Sequence, residues 1–361
     1  MLTNKWDLSI KLASYIPHPV SCILYPLSWG SKLIDLKVCF YIWGGIHLKT
    51  RDLAKAIALL TTFILTWALS FLLTIIGLDS IPKATFIASR FFIATVFLVA
   101  LIGSSRLSQR EFIKNIRSLM VDRSSLINFL SASFAGVTLA QLFQVIERYS
   151  YAPPASDVCF LLNTAPIFIF IFSFFLLYER INFRKIVGAS ASFLGMICIV
   201  ANWERPSTFS PFTRFSNLEI WILLAAVLWA IFTVMGKKII AKYDPLTATT
   251  VTITLGTIPL IPFALYREGT AFLRIPTGGW MLILILGVVC SAISYLLWYQ
   301  ALSLVEASKA GSFLFITPVF LTFLIEIEKR IGLWGICPMV VTPVIVGSIL
   351  VLVGIFIIWL S

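Results

Sequence analysis

The stretch from Asn163 to Gly195, NTAPIFIFIFSFFLLYERINFRKIVGASASFLG, does most to limit what this chain can fold into. It begins with an apolar helix that has Pro166 near its start and Glu179 at its end. After a short basic turn a second apolar helix follows, on which Gly188 and Gly195 lie seven residues apart. Because hydrophobic runs of this length without an internal charge span a bilayer, the stretch predicts a pair of membrane helices.

The same helical hairpin occurs a second time, in weaker form. It comprises ITPVFLTFLIEIEKR from Ile316 to Arg330 and GSILVLVG from Gly347 to Gly354. The pairs Ala155-Ser156 and Ala307-Ser308 each stand ten residues before the proline of their hairpin, which is Pro318 in the second copy. Two copies of one membrane hairpin indicate a duplicated membrane protein, an arrangement that is common among transporters.

The composition agrees with a membrane protein of many spans. Of the 361 residues, 59% are hydrophobic and only 12% are charged, and the mean hydropathy is +0.98. Soluble domains carry roughly twice this charged fraction. The net charge of +12 comes from basic residues in short clusters between apolar segments. Such clusters orient spans and contact anionic lipid, so we expect the lipid bilayer, and not nucleic acid, as a partner.

Residues that carry catalysis or bind metals are scarce. The six cysteines form no CxxC pair, and the only histidines, His18 and His47, precede the first clear span. We therefore predict no disulfide framework, no metal site and no cofactor. The sequence contains no nucleotide-binding GxxxxGKS or GxxxxGKT element and no GxSxG or HExxH element, which argues against ATP hydrolysis and against a membrane-embedded lipid-modifying enzyme. A channel would be expected to build its pore by oligomerisation rather than from an internal repeat.

From Ala54 onward the apolar segments recur at regular intervals, and we predict ten helical spans of about the twenty residues that a bilayer requires. The predicted spans are residues 54–77, 80–102, 125–147, 155–177, 183–201, 217–236, 246–266, 279–300, 307–326 and 337–360. Residues 1–53 form an N-terminal extension that we predict to be interfacial or disordered, with an extra partial span as the alternative.

The spans divide into two halves, residues 54–201 and 217–361, joined by an external linker at 202–216. Because five spans are an odd number, two such halves lie in the membrane with opposite orientation, and in inverted repeats the substrate site lies near the midplane between the halves. The basic residues of the loops place both termini in the cytoplasm. We predict a multi-pass protein of the cell membrane, the inner membrane of a bacterium.

Each half contains several short sequences in a defined order, and some of them recur in both halves. The first half contains Trp67, Arg90, the run ASDVCFLLNTAPIF, the YER sequence at Tyr178 to Arg180 and the two glycines of the fifth span. The second half contains LLAAVLWAIFTVMGKK, YLLWYQALSLVEASKAGSFLFITPVF and GSILVLVG. In their order and spacing over residues 54–360 these sequences resemble the drug/metabolite transporter superfamily, specifically proteins with two EamA domains. The resemblance implies a ten-helix inverted-repeat fold, a central cavity, and export or exchange of small metabolites.

Polar groups are costly inside a bilayer, so polar residues within the first five spans are candidates for substrate binding. Arg90 could counter an anionic substrate or pair with Glu147, and a snorkelling arginine or a structural pin between helices is the alternative. Gln141 and Gln144, three residues apart on one helix face, could line a cavity or hydrogen-bond to other helices. Asn163 could form a polar notch for substrate, or re-satisfy the carbonyl that the following proline frees.

The second half offers an aromatic cluster and a hydroxylated span. Tyr295, Trp298 and Tyr299 could wall a site for apolar or aromatic solutes and organic cations, or belong to an interfacial aromatic belt. Thr254, one of six threonines in the seventh span, could line an aqueous path or bond back to its own helix. Trp67 of the first span joins the candidate set through the family resemblance.

Three residues are candidates for structural or gating roles, namely Pro166, Glu179 and Pro318. Acids at span ends could carry a coupling proton if they are buried, or could act as solvated helix caps. These acids are Glu147, Asp157, Glu179 and Glu306.

The sequence therefore predicts a secondary transporter, an exporter or exchanger, that moves small organic metabolites such as amino acids or related compounds by alternating access. The alternative within the superfamily is a nucleotide-sugar or sugar-phosphate exchanger. That alternative requires more than one basic residue deep in the cavity, where only Arg90 qualifies. A small-molecule substrate, coupling protons and a second copy in a homodimer are the possible partners.

Overall fold

A computed structural model describes residues 50–144, 155–200, 219–331 and 341–361, and within these ranges the regular structure is entirely helical. Most of the N-terminal extension, the linker at 202–216, Glu147 and residues 332–340 lie outside the described residues.

Nine helices in the described ranges are long and apolar enough to cross a membrane. They are Arg51–Thr74, Lys83–Gly103, Arg123–Gln144, Val158–Leu177, Phe183–Val200, Ile220–Ile240, Pro245–Glu268, Thr277–Leu304 and Ala307–Leu324. A shorter apolar stretch, Val344–Trp359, belongs to a tenth helix, Val341–Trp359. The predicted all-helical membrane fold is thus confirmed, and each predicted span corresponds to one of these helices with ends that differ by a few residues.

One helix was not predicted. Residues Arg106–Val121 form an amphipathic helix between the second and third spans, where the sequence was interpreted only as a basic loop. We call it the surface helix. Asp122 lies between the surface helix and the third span. Its carboxylate caps the third span by accepting from the backbone N–H groups of Ser124 and Ser125. The Lys242 ammonium lies 2.8 Å from the same carboxylate. Its hydrogen bond, together with those from Ser125, holds the pKa of Asp122 well below its usual range.

The fourth and ninth spans are broken at corresponding places. The fourth consists of Ala155–Leu162 and Ala165–Leu177, and the ninth of Ala307–Ser312, a 3₁₀ turn at Phe313–Ile316 and Thr317–Ile331. Pro166 and Pro318 each occupy the second position of the helix that follows the break, where a missing N–H costs little. Discontinuous helices at equivalent positions of two repeats are the usual location of a transporter's substrate site.

The third and eighth spans share a different irregularity. Each contains a π-helical segment, Ser133–Leu139 in the third and Val288–Ile293 in the eighth. Such segments leave backbone groups available to other partners and often occur at functional sites. Corresponding spans of the two halves therefore carry corresponding departures from regular helix.

The fifth and tenth spans pack with their backbones in contact. A Cβ atom added to Gly188 would collide with the carbonyl oxygen of Gly354, and one added to Gly354 would collide with that of Gly188. A second crossing lies one heptad along, where a Cβ on Gly195 or on Gly347 would lie 2.6 Å from the carbonyl oxygen of the other. Small residues permit this close approach, which is how membrane helices pack in the absence of a hydrophobic driving force between them.

Candidate substrate-binding site

A small cavity lies between spans of both halves. It has a volume of about 10 Å³, which is enough for about one water molecule. The first, third, fourth, sixth and ninth spans contribute to its lining. The lining residues are Trp67, Gln144, Leu162, Asn163, Ala225, Trp229 and Leu314. Among the described residues, the lining contains no charged side chain.

Aromatic rings form the wall on the side of the sixth and eighth spans. The ring centroids of Trp67 and Trp229 lie 4.6 Å apart, and Trp229 lies 6.2 Å from Trp298 and 5.5 Å from Tyr295. Behind them Tyr299 stacks on Phe232 at 5.3 Å. Tyr295, Trp298 and Tyr299 are 1%, 0% and 1% exposed, so the structure places them inside the bundle rather than in an interfacial belt.

Four buried polar atoms at or near this wall have no hydrogen-bond partner among the described residues. They are Nε1 of Trp229, Nε1 of Trp298, the hydroxyl oxygen of Tyr295 and Oγ1 of Thr254. Most buried polar groups are paired, because leaving one unpaired costs about 1–3 kcal/mol. An unpaired indole N–H on Trp229, a cavity-lining residue, is therefore suited to donate to an acceptor atom of a ligand or a water.

The side-chain amides of Asn163 and Gln144 have their oxygen atoms available as hydrogen-bond acceptors in the cavity. Asn163 Nδ2 donates to the Cys159 carbonyl oxygen at 2.7 Å, and Gln144 Nε2 donates to that of Ala140 at 3.1 Å. Thr164 Oγ1 likewise donates to the Leu161 carbonyl oxygen. These contacts satisfy carbonyls around the break in the fourth span, and no described residue donates to the amide oxygens of Asn163 or Gln144. The cavity thus offers both acceptors and a donor.

The other candidates of the seventh and third spans lie around the cavity rather than in its lining. Thr250 and Thr257 bond back to carbonyls of their own helix at 2.8 and 2.7 Å, whereas Thr254 makes no such bond. Thr252 Oγ1 lies 3.4 Å from the Tyr299 hydroxyl. Gln141 is 6% exposed and, unlike Gln144, is not part of the cavity lining.

Arg90 is buried away from the cavity lining and is held by three partners. Its Nε donates to Ser291 Oγ at 2.6 Å, and one terminal nitrogen donates to Ser70 Oγ at 2.9 Å and to the Cys290 carbonyl oxygen at 3.3 Å. Cys290 and Ser291 belong to the π-helical segment of the eighth span, which explains why a backbone carbonyl is available there. This arginine ties the first, second and eighth spans together.

We expect the substitution Arg90→Ala to lower the free energy of unfolding by about 2–4 kcal/mol, because it leaves a void and strips two hydroxyls and a carbonyl of their donor. Thermal unfolding of the purified protein measures the effect. Arg110→Ala is the matched control, since Arg110 is exposed and forms no hydrogen bond or ion pair with a described residue. Equal stability of the two variants would contradict a pinning role for Arg90.

The turn at residues 302–308, between the eighth and ninth spans, gathers charged groups that sequence reasoning did not combine. Both carboxylate oxygens of Glu179 accept from backbone N–H groups, at 2.7 Å from Ala307 and 3.0 Å from Ser308. Lys185 Nζ, on a side chain that is 3% exposed, lies 2.6 Å from Glu306 Oε2. Lys237 Nζ donates to the carbonyl oxygens of Leu302 and Val305 at 2.5 and 2.7 Å.

The sequence does not reveal these contacts, because Lys185 and Lys237 lie next to loops, where basic residues indicate only the orientation of the spans. Lys185 falls inside a predicted span, and a charge in that position was the available signal. Glu179 and Lys185 come from the first half and the turn from the second, so these contacts join the halves.

A similar contact joins the halves at the opposite membrane face. The carboxylate of Glu268, at the end of the seventh span, accepts from the backbone N–H groups of Ala84 and Thr85 at 3.0 and 2.7 Å. The fourth and seventh spans run in opposite directions, so Glu179 and Glu268 lie at opposite ends of the bundle. Each carboxylate satisfies N–H groups that a helix start leaves unpaired and interacts favourably with the helix dipole.

A sequence profile of the EamA-like transporter family matches residues 54–201 and again residues 217–360. The chain belongs to the EamA-like transporter family. An uncharacterized transporter of Archaeoglobus fulgidus is 31% identical over 272 residues, which cover 74% of this chain and 86% of that protein. A probable terminal-alkyne amino-acid exporter of Streptantibioticus cattleyicolor is 26% identical over 277 residues, covering 74% and 84%.

A protein crystal structure also matches the fold, with a TM-score of 0.66 at 17% identity over 85% of this chain and 97% of the matched chain. The EamA-like protein is therefore a multi-pass membrane transporter of small molecules and not an enzyme. We interpret the aromatic wall, and the two helix caps that the carboxylates of Glu179 and Glu268 form, as parts of this transporter.

Proposed function

We propose that the protein is a secondary transporter that carries a small organic metabolite, of the amino-acid class or related to it, by alternating access between its two halves. The observation that carries the proposal is the cavity shared by both halves, which is lined by two adjacent indoles, a Trp229 N–H that has no partner among the described residues, and the amides of Gln144 and Asn163. Cavities with apolar walls and a few polar groups are typical of small-molecule sites.

The chemistry of the lining suggests what the substrate carries. Indole faces attract apolar, aromatic and cationic groups, and an amine or hydroxyl could donate to the amide oxygens. A carboxylate or carbonyl oxygen of the substrate could accept a hydrogen bond from the Trp229 N–H. Because no described lysine or arginine lines the cavity, the site gives a sugar phosphate or nucleotide sugar no counter-charge. The name of the Streptantibioticus relative, a probable amino-acid exporter, favours the same substrate class.

We infer the orientation of the transporter from its loop charges. The surface helix and the 180–185 turn are rich in Arg and Lys, so we place them and both termini on the cytoplasmic side. The membrane in this proposal is the plasma membrane of the cell. The Glu179 cap then closes the cytoplasmic end and the Glu268 cap the external end. Solution mass in lipid nanodiscs measures whether the functional unit is a monomer or a homodimer.

Alternating access requires one of these caps to release in each open state, because each joins the two halves. Both caps are formed in the structure, and the cavity admits only about one water molecule, which fits a state closed at both ends. Protonation of Glu179 or Glu306 would weaken the cytoplasmic contacts, so these two carboxylates are our candidates for coupling protons to transport.

Counterflow into proteoliposomes tests the proposal. Vesicles that hold the full chain and are preloaded with unlabelled compound should accumulate labelled amino acids or aromatic amines above protein-free vesicles. Accumulation restricted to nucleotide sugars or sugar phosphates would favour the alternative substrate class. Absence of counterflow for every compound of these classes would contradict the proposal.

We expect Glu179→Gln to loosen the cytoplasmic cap. Its amide keeps a single acceptor oxygen without charge, so two charge-assisted hydrogen bonds are replaced by one neutral bond. Amide hydrogen exchange at residues 305–309 should accelerate by roughly tenfold, the factor that corresponds to about 1.4 kcal/mol. Glu111→Gln is the control, since Glu111 is exposed on the surface helix and forms no hydrogen bond or ion pair with a described residue. Unchanged exchange at 305–309 would rule the cap out as a closure element.

A further inference from the structure

The surface helix, Arg106–Val121, is fixed along one face of the membrane domain by its connections. The second span ends at Gly103 and the third begins at Arg123, so both ends of this 16-residue helix are tied to spans at the same face. At 1.5 Å per residue the helix extends for about 24 Å. We expect a helix whose two ends join spans at the same face to lie close to the level of the lipid headgroups.

One side of the surface helix packs on the protein. Leu119 is buried, and Phe112 and Ile116 pack against the hydrophobic core. Asn115 Nδ2 donates to Asp244 Oδ1 at 2.6 Å, which fastens the helix to the turn between the sixth and seventh spans. The helix therefore has a defined rotation about its axis, and its opposite side faces outward.

The outward side carries four basic residues at spacings of four, four and three: Arg106, Arg110, Lys114 and Arg117. At about 100° per residue these spacings confine all four to an arc of about 80°. All four are exposed, and within the described residues none forms a hydrogen bond or an ion pair. Glu111, the single acid of the helix, does not neutralise them.

Large apolar residues flank this basic stripe and are exposed as well. Leu107 is 77% exposed, Ile113 52%, Met120 78% and Val121 87%. An exposed face that mixes arginine and lysine with leucine, isoleucine and methionine is typical of helices that lie in a lipid interface, where the cations meet headgroups and the apolar groups enter the acyl boundary.

We propose that the outward face of the surface helix docks on anionic phospholipid headgroups of the bilayer around the protein. The positive charge of the basic stripe complements the negative lipid phosphates, and the flanking apolar residues can insert between the acyl chains. The connections to two spans keep the helix close to the bilayer surface. Through Asn115 the docked helix steadies the turn at residues 242–244, which links the sixth and seventh spans. This interaction surface is independent of the substrate and of the central cavity.

Hydrogen exchange of the full chain in nanodiscs tests the proposal. Discs of phosphatidylcholine alone are compared with discs that contain about 30% phosphatidylglycerol, since each basic residue near an anionic surface contributes about fivefold to association. We expect amides of residues 106–121 to exchange at least about fivefold more slowly in the anionic discs, and this protection to decline in about 0.5 M salt. Amides of the fifth and tenth spans should not respond.

Two variants of the stripe separate charge from folding. The substitutions R106Q/R110Q/K114Q/R117Q should abolish the response to phosphatidylglycerol, whereas R106K/R110K/K114R/R117K should retain it. If the first variant does not fold, R110Q/R117Q should retain about half of the response on a logarithmic scale. Equal exchange in both lipids overturns the proposal. If protection of residues 106–121 from exchange depends on the number of protein copies per disc, the face binds a second copy instead. If only added polyglutamate protects these residues, the face binds an acidic polypeptide.

Discussion

Replacing Gly188 with leucine is expected to lower the free energy of unfolding by about 3 kcal/mol, at the upper end of what overpacking costs. A Cβ at this position would collide with the backbone carbonyl of Gly354 and would lie 2.7 Å from Ile358 Cγ1. A backbone atom cannot turn aside as a flexible side chain can, so the fifth and tenth spans must separate. Separation also breaks the second crossing, where Gly195 meets Gly347.

Thermal unfolding in detergent, at matched protein concentration, measures this loss. Gly103→Leu is the control, because it adds the same side chain at a helical glycine whose Cβ would meet nothing within 4 Å. Combining Gly188→Leu with Gly354→Leu should cost less than the sum of the two, since the first substitution already parts the helices. A Gly188→Leu variant as stable as Gly103→Leu would show that the two spans do not pack as described.

The spans were predictable because twenty consecutive apolar residues have few other folded solutions. The kink at Asn163 was also predictable, since the proline that follows frees a backbone carbonyl, whereas Pro318 was only a candidate for a structural or gating role. The π-helical segments were not, because SFAGVTL and VVCSAI contain no residue that forbids an α-helix. Their geometry depends on neighbours such as Arg90, whose guanidinium donates a hydrogen bond to the Cys290 carbonyl oxygen of the eighth span.

Other features depend on which helices become neighbours, and a single sequence does not encode that directly. The surface helix has its apolar residues at helical spacing, but the dense basic residues between them favoured interpretation as a loop. Lys185 and Glu306 are 121 residues apart, so their ion pair required the packed structure. The burial of Tyr295, Trp298 and Tyr299 likewise follows from the sixth span lying against the eighth, and not from their position near a span end.

The arrangement of caps and cavity gives the two halves a reciprocal dependence. A carboxylate of the first half caps a helix of the second at one face, and a carboxylate of the second caps a helix of the first at the other. Under the alternating access that we propose, motion that opens one face would preserve the contact at the opposite face. The broken fourth and ninth spans lie between the two caps, where rotation of short helical segments could enlarge the cavity to admit a substrate.

Trp229 is the residue whose replacement should most affect ligand binding. Its ring lies 4.6 Å from that of Trp67, tilted by 39°, and its indole N–H is unpaired among the described residues. Loss of an aromatic contact and a hydrogen bond to a buried ligand together remove about 2–3 kcal/mol, so Trp229→Leu should weaken binding by roughly 30- to 150-fold. Trp229→Phe keeps an aromatic face but no N–H, and should lose roughly tenfold.

Ligand-dependent thermal stabilisation against a panel of amino acids and aromatic amines measures these changes, because a ligand that binds only the folded state raises its unfolding temperature. Trp280→Leu is the matched control, since it removes a 39% exposed indole that does not line the central cavity. Arg90→Ala, where it folds, should keep the ligand-induced shift. A shift that survives Trp229→Leu but disappears in Arg90→Ala would move the site from the indole wall to the guanidinium between the first, second and eighth spans.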